Sequence, residues 1–265
     1  MIKLIASDLD GSLLNDEKKL APEFFDIFRE LKKMGIHFVA ASGRTYSTLR
    51  HNFHPVSEEM DFICENGACV VMGGAYLRQE TLKMEELSGV FQVCRTLPDI
   101  QLVLCGTKSA YHLDYPPAFD WHIKSYHINH TIVSDLTDVK DEIYKVAICD
   151  LNCPERNSFP ILDKQFGKQF SLRISGDYWM DIMRPGVNKG NALMEIQSKL
   201  GVTEDETMAF GDYYNDIELL RHAKYSFVME NANEDMRQYG RYIAKSNNEN
   251  GVLEAVKEYV LKQRR

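Results

Sequence analysis

Apolar residues in the first third of the chain form short continuous runs separated by amphipathic stretches. "IKLIAS" and "IHFVAAS" are runs of the kind that suits strands buried on both faces. Between them, "PEFFDIFRELKKMG" sets Phe24, Ile27, Phe28, Leu31 and Met34 at helical spacing, punctuated by Pro22 and Gly35. "TYSTLRHNF" predicts a short helix. "DFICENGACVVMGGAYL" predicts a strand, a turn and a hairpin pivoting on Gly73-Gly74. This β-α-β-α order predicts a parallel sheet with helices on both faces.

The same texture returns late in the chain. "KGNALMEIQSKLG" predicts a helix with Ala192, Leu193, Ile196 and Leu200 on one face. "TMAFGD" follows as a strand, "YNDIELLRHA" as a helix and "YSFVM" as a strand, and "GVLEAVKEYVLKQ" closes the chain as an amphipathic helix. Between the two halves the pattern changes. A helix is predicted at "KMEELSGVFQVCRTL" and strands at "IQLVLC", "YKVAIC", "FSLRIS" and "YWMDIM", the last two joined by a Gly-Asp turn. The expected architecture is α/β: a Rossmann-like, doubly wound parallel-sheet core from residues 1–82 and 188–265, with an inserted α+β domain at 83–187.

Composition narrows the function classes. A chain of 265 residues, 44% apolar and 26% charged, can bury a sizeable core as one large or two modest domains. The net charge of −8, with basic residues no more clustered than Lys18-Lys19 and Arg264-Arg265, argues against a nucleic-acid partner. No apolar run approaches the roughly 20 residues that span a bilayer. There is no secretory signal pattern, and the six cysteines lack a dense disulfide spacing, so reduced thiols in a cytosolic protein are expected.

The chemistry gathers at predicted strand ends, where open α/β sheets bind ligands. The first strand ends at Asp8-Leu9-Asp10-Gly11, the second at Ser42-Gly43-Arg44, and the third approaches Asn66-Gly67. Gly211-Asp212 ends a late strand, with Asn215 and Asp216 just beyond, and Lys189 opens the helix that re-enters the core. Asp8 and Asp10, two apart in an extended segment, point the same way. With Asp212 they make an oxygen-rich set suited to a hard cation such as Mg²⁺. Lys189, the Ser42 hydroxyl and the backbone around Gly43 supply donors for an anion. An EF-hand does not fit, because Gly11 is fourth from Asp8 where that loop wants its Gly sixth, and Lys19 takes position twelve. A D-x-D glycosyltransferase would leave Lys189 and the GDxxND element unexplained.

"DLDGS", "SGR", "NKG" and "GDYYND", in this order, resemble the four motifs of the haloacid dehalogenase superfamily. The Asn66-Gly67-Ala68 turn, the inserted domain and the ending "MENANEDMRQYGRYIAKSNNENGV" resemble the Cof-type phosphatases of subfamily IIB, which carry a large α/β cap of the C2 type. The resemblance implies a phosphomonoesterase in which Asp8 is the nucleophile and a Mg²⁺ ligand. It implies that Asp10 is the general acid and base, its backbone carbonyl also on Mg²⁺, with Asp212 a further ligand and Asp216 orienting the ligands. Leu9 (through its backbone N–H), Ser42, Gly43, Lys189 and Asn215 would hold the phosphoryl oxygens. Departures from the family pattern are Ser12 and Ser42 in Thr slots, Asn188 where Ser commonly precedes the lysine, and the bulkier Tyr213.

Arg44 and Asn66 each have two readings, a contact with the substrate's leaving group or a brace for the loop beneath it. Arg184 divides between an anionic substrate and a salt bridge. His122, His127 and His130 in "WHIKSYHINH" match no ligand spacing and are expected on a solvated surface of the cap. Cys149 and Cys153 lack a second pair and read as thiols rather than a zinc site. The expected protein is a cytoplasmic, Mg²⁺-dependent phosphatase of a small phosphorylated metabolite, a sugar phosphate first, with the cap roofing its site. It has no nucleic-acid or membrane partner, and its oligomeric state is open. A phosphomutase of the same superfamily and a non-catalytic phospho-ligand sensor are the alternatives.

Overall fold

The computed structural model describes residues 1–127 and 129–262. Ile128 in the histidine-rich run, Gln263 at the end of the predicted last helix, and the Arg264-Arg265 pair lie outside the described residues. The chain divides into two compact units, Met1–Leu77 with Asn188–Arg265, and Arg78–Val187.

The first unit starts with β1 (Leu4–Asp8), α1 (Glu23–Lys33), β2 (His37–Ala41), α2 (Tyr46–Asn52), β3 (Asp61–Cys64), β4 (Cys69–Met72) and β5 (Ala75–Gln79). In chain order the second unit follows with α3 (Ser88–Cys94), β6 (Ile100–Gly106), β7 (Ala110–His112), α4 (Asp120–Tyr126), β8 (His130–Ile132), β9 (Ile143–Asp150), α5 (Ser158–Phe166), β10 (Ser171–Gly176) and β11 (Trp179–Met183). The first unit resumes with α6 (Lys189–Leu200), β12 (Thr207–Gly211), α7 (Ile217–Arg221), β13 (Tyr225–Met229), β14 (Tyr242–Ala244) and α8 (Gly251–Val256).

The first sheet has the order β14-β13-β12-β1-β2-β3-β4-β5. From β14 to β3 every pairing is parallel, β4 pairs antiparallel with β3, and β5 lies at the edge beyond it. β1, with strands on both edges, is buried along its whole length, as a strand with both faces covered is, and its apolar start Leu4-Ile5-Ala6 reflects this. α1 buries Phe24, Ile27, Phe28 and Leu31. Glu23 and Asp26 in its first turn and Lys32 and Lys33 in its last suit the helix dipole. On another face, Ala192, Leu193 and Ile196 of α6 join Leu4, Ala6, Val39 and Ile63 in one apolar cluster. Gly73 and Gly74, both at positive φ, make the two-residue turn between β4 and β5.

The second unit carries a sheet of order β10-β11-β9-β6-β7-β8, antiparallel except for the β7–β8 pair. Val90 and Phe91 of α3 and Leu162 of α5 pack with Leu104, Val146, Ile148, Met180 and Ile182. Alternate residues of the same strands, Val103, Cys105, Ala147, Cys149 and Trp179, gather with Ile123 of α4 and with Phe119 just before that helix. All six cysteines are free, five of them buried. The solvated surface expected for the histidine run does not hold for His127. It is 6% exposed and packs edge-on against Trp179, because α4 turns the run inward instead of letting it lie along solvent. No helix among the described residues is long and apolar enough to cross a membrane.

Candidate active site

β1 pairs with β2 on one side and with β12 on the other, so its carboxyl end lies where the strand order reverses. Asp8 is the last residue of β1 and Gly211 the last of β12, which sets Asp212 beside the first strand's exit. Gly11, at φ +84°, is what lets them meet. A Cβ there would lie 2.2 Å from Asp212 Oδ2, a distance no side chain tolerates. Ser12 completes the approach by donating its hydroxyl to Asp212 Oδ1 at 2.9 Å. The hydroxyl expected from the motif is therefore in use.

Lys189 opens α6 and is fully buried, its ammonium 2.5 Å from Asp8 Oδ1 and 2.6 Å from Asp216 Oδ1. The other oxygen of Asp216 accepts the backbone N–H groups of Asp212 and Tyr213 at 3.1 and 3.2 Å, fixing the turn that follows β12. Asn188 does the work of the serine common in this slot, since its side chain caps α6 by accepting from the Asn191 N–H at 2.7 Å.

Carboxylate oxygens of Asp8, Asp212 and Asp216 lie within 4.8 Å of one another. Burial, and then the charge of Asp216, push Asp8 up to about 7 against the pull of Lys189. Burial and the neighbouring Asp8 likewise raise Asp212 well above the carboxylate range, although Ser12 opposes this. Burial disfavours the charge on Lys189, but Asp216 and Asp8 outweigh it and hold the ammonium's pKa above its ordinary value. Ionised together, three acids and one lysine leave two negative charges uncompensated, the charge of one divalent cation. All-oxygen donors at this crowding fit Mg²⁺. Asp8 and Asp212 would hold it, with Asp216 bracing them.

Asp10 faces different partners. Arg44 gives it a bidentate fork, Nε to Oδ2 at 2.8 Å and Nη2 to Oδ1 at 2.6 Å. Lys18 adds an ammonium 3.0 Å from Oδ1. Burial works the other way, yet the Arg44 and Lys18 charges hold its carboxyl below the usual range. Nothing in the sequence around Lys18 marks this contact.

The remaining candidates lie as follows. Ser42 follows β2 directly after Ala41, the residue paired with Asp8, so its position is beside the nucleophile candidate. Its hydroxyl accepts the Arg44 N–H at 3.2 Å. A side chain at Gly43 would press on the Asn66 amide at 3.2 Å. Asn66, buried and at positive φ, accepts from the Asn215 amide at 3.0 Å, so these two side chains hold each other. Leu9 is fully buried, and its carbonyl accepts from Ser12 and Leu14, which anchors the backbone between the two acids. Arg184 belongs to the second unit, where it donates to the Thr81 carbonyl at 2.7 Å and pairs with Glu86 at 3.4 Å. Both contacts lie within its own unit.

Carboxylates at the switch point of a doubly wound sheet, with a buried lysine among them, are a donor set suited to a cation and a phosphoryl group. Residues 5–256 match the haloacid dehalogenase-like hydrolase family, and the chain belongs to it as a phosphomonoesterase. It is 34% identical to the 5-amino-6-(5-phospho-D-ribitylamino)uracil phosphatase YbjI of Escherichia coli (strain K12), over 96% of this chain and 95% of that one. It is 25% identical to a phosphatase of the same description, YcsE of Bacillus subtilis (strain 168), over 98% and 96% of the two chains. The crystal structure of SMU.1108c from Streptococcus mutans UA159 superposes with a TM-score of 0.92 at 29% identity, covering 98% of this chain and all of the other.

Proposed function

We propose that the protein is a Mg²⁺-dependent phosphatase of a small cytosolic metabolite, working through an aspartyl-phosphate on Asp8. The observation that carries this reading is the meeting of Asp8, Lys189, Asp212 and Asp216 at the end of β1. An Asp8 oxygen attacks phosphorus while the bond to the alcohol oxygen breaks, and Asp10, reacting through the minor protonated form that Arg44 and Lys18 disfavour, gives that oxygen its proton. Water then attacks phosphorus and gives its proton to Asp10. The bond to Asp8 breaks, and inorganic phosphate leaves. Lys189, the Ser42 hydroxyl, the Asn215 amide and the backbone N–H groups at Leu9 and Gly43 hold the phosphoryl oxygens, since this chemistry asks mainly for position and charge neutralisation. Bound Mg²⁺ would supply Lewis-acid neutralisation of the phosphoryl charge.

The substrate we infer is a metabolite phosphorylated on a sugar or sugar-alcohol hydroxyl. The names of the two curated relatives put 5-amino-6-(5-phospho-D-ribitylamino)uracil first among candidates. Phosphate release should be measured over that compound and a panel of sugar, nucleotide and cofactor monophosphates. Turnover is expected with Mg²⁺, none with EDTA, and none under either condition for Asp8→Asn. A flat, EDTA-insensitive panel, or substantial hydrolysis by Asp8→Asn, would sink the proposal.

A further inference from the structure

Asp10 has two side-chain torsions, and the contacts around it leave neither free. Arg44 engages both carboxylate oxygens, and Lys18 shares Oδ1. The root of Arg44 is itself tied down. Its N–H donates to the Ser42 hydroxyl at 3.2 Å, its carbonyl accepts the Glu65 N–H at 3.0 Å, and Thr45 after it caps α2. The side chain is 7% exposed, so its reach toward Asp10 is enclosed by protein. A planar fork on a fixed backbone defines the plane of the carboxylate it grips, which a lysine cannot do.

We propose that Arg44 is the positioning residue of Asp10, fixing that carboxylate's orientation for proton transfer instead of binding the substrate. This rests on the acid–base role proposed above for Asp10. One oxygen must leave the fork when Asp10 gives or takes its proton, and the other stays anchored. The anchored oxygen keeps the mobile one on its path. Loss of the fork lets the carboxylate swing, and a displacement on the order of 1 Å at a reacting group is enough to cost about 10²-fold in rate.

Leaving groups separate this role from others. Ribose 5-phosphate loses an alkoxide that needs a proton, whereas p-nitrophenyl phosphate loses a phenolate that does not. The quantity to compare is kcat/KM, which covers the steps through departure of the alcohol. For Arg44→Gln we expect a loss of about 10²-fold on ribose 5-phosphate and of less than about fivefold on p-nitrophenyl phosphate. Arg44→Lys, with one point-like donor, should recover part of the loss. In the Asp10→Asn background, Arg44→Gln should add less than about twofold, because a residue acting through Asp10 has nothing left to position. Equal losses on both substrates, or a full further loss beside Asp10→Asn, would overturn the assignment. Failure of the wild-type protein on both compounds speaks against the phosphatase reading itself. In that case a crystal structure of Arg44→Gln still decides the clamp. Asp10 in a changed orientation supports it, and Asp10 unmoved overturns it.

Discussion

Lys189 is a fully buried ammonium among three acids, which makes it the residue on which both folding and chemistry press hardest. Its two short ion pairs partly offset the burial of Asp8 and Asp216. Lys189→Met keeps the length and loses the charge. Breaking a buried pair by removing one partner leaves the other charges stranded, so unfolding by urea should show a loss of about 3–5 kcal/mol. An unchanged midpoint would mean that the acids are not jointly ionised. Phosphate release should vanish in the same variant, since a phosphoryl-oxygen donor is lost with the ammonium. Several features at this scale could be read from residue types and order alone, because carboxylates and a lysine recurring at successive strand ends are more than turn formation asks for. The Asp10–Arg44–Lys18 arrangement could not. It depends on which way a side chain turns, and no spacing encodes that.

Among elements, the segment after β1 is the one held from farthest away. The Asn231 amide donates to the Gly11 carbonyl at 2.8 Å, and the Asn247 amide donates to the Leu14 carbonyl and to Asp16 at 3.0 and 2.9 Å. Asn248 adds a second amide on Asp16 at 2.8 Å. The C-terminal stretch thus fastens the loop that carries Asp10, Ser12 and Lys18. Asn247 is buried, so Asn247→Ala strands the Leu14 carbonyl and should cost about 1–3 kcal/mol, read in a urea titration. Hydrogen exchange across residues 11–18 should quicken in the same variant, and unchanged protection there would show that the fastening is unimportant. The elements themselves divide by legibility. α1, α6, β1, β2, β12 and the β10–β11 hairpin follow from periodicity and turn residues. β7, β8 and β14 are three residues each, too short to leave a pattern, and α4 and α5 lie in stretches where apolar spacing is weak. The predicted last helix keeps its α form only over Gly251–Val256 and continues as a wider turn over Lys257–Leu261.

At the scale of the whole molecule, acid should act through the second unit. Burial, with Lys145, His112 and His130 nearby, lowers His127 to about 3 from an ordinary 6.5. Among the described residues its Nδ1 has no hydrogen-bond partner, so nothing there stabilises a proton. The unfolded chain takes that proton below 6.5 and the folded one only near 3. His127 is therefore neutral in both states above 6.5, and between those values stability falls by about a factor of ten in the folding equilibrium per pH unit. Urea midpoints measured from pH 7 to 5 should slope less steeply in His127→Leu, by about one proton's worth. Parallel slopes would remove His127 from the account. The order in which the sheet can form has another consequence. β1 pairs with β12 in the register Leu4↔Thr207, so the strand ending at Asp8 leaves the ribosome about 200 residues before its second neighbour. At ordinary translation speed that wait is roughly 10–40 s. All through it an apolar strand has an unpaired edge, and every strand of the second unit emerges before that edge can be filled. The central position that makes β1 the anchor of the site also makes the nascent chain vulnerable to aggregation for as long as its centre stays open.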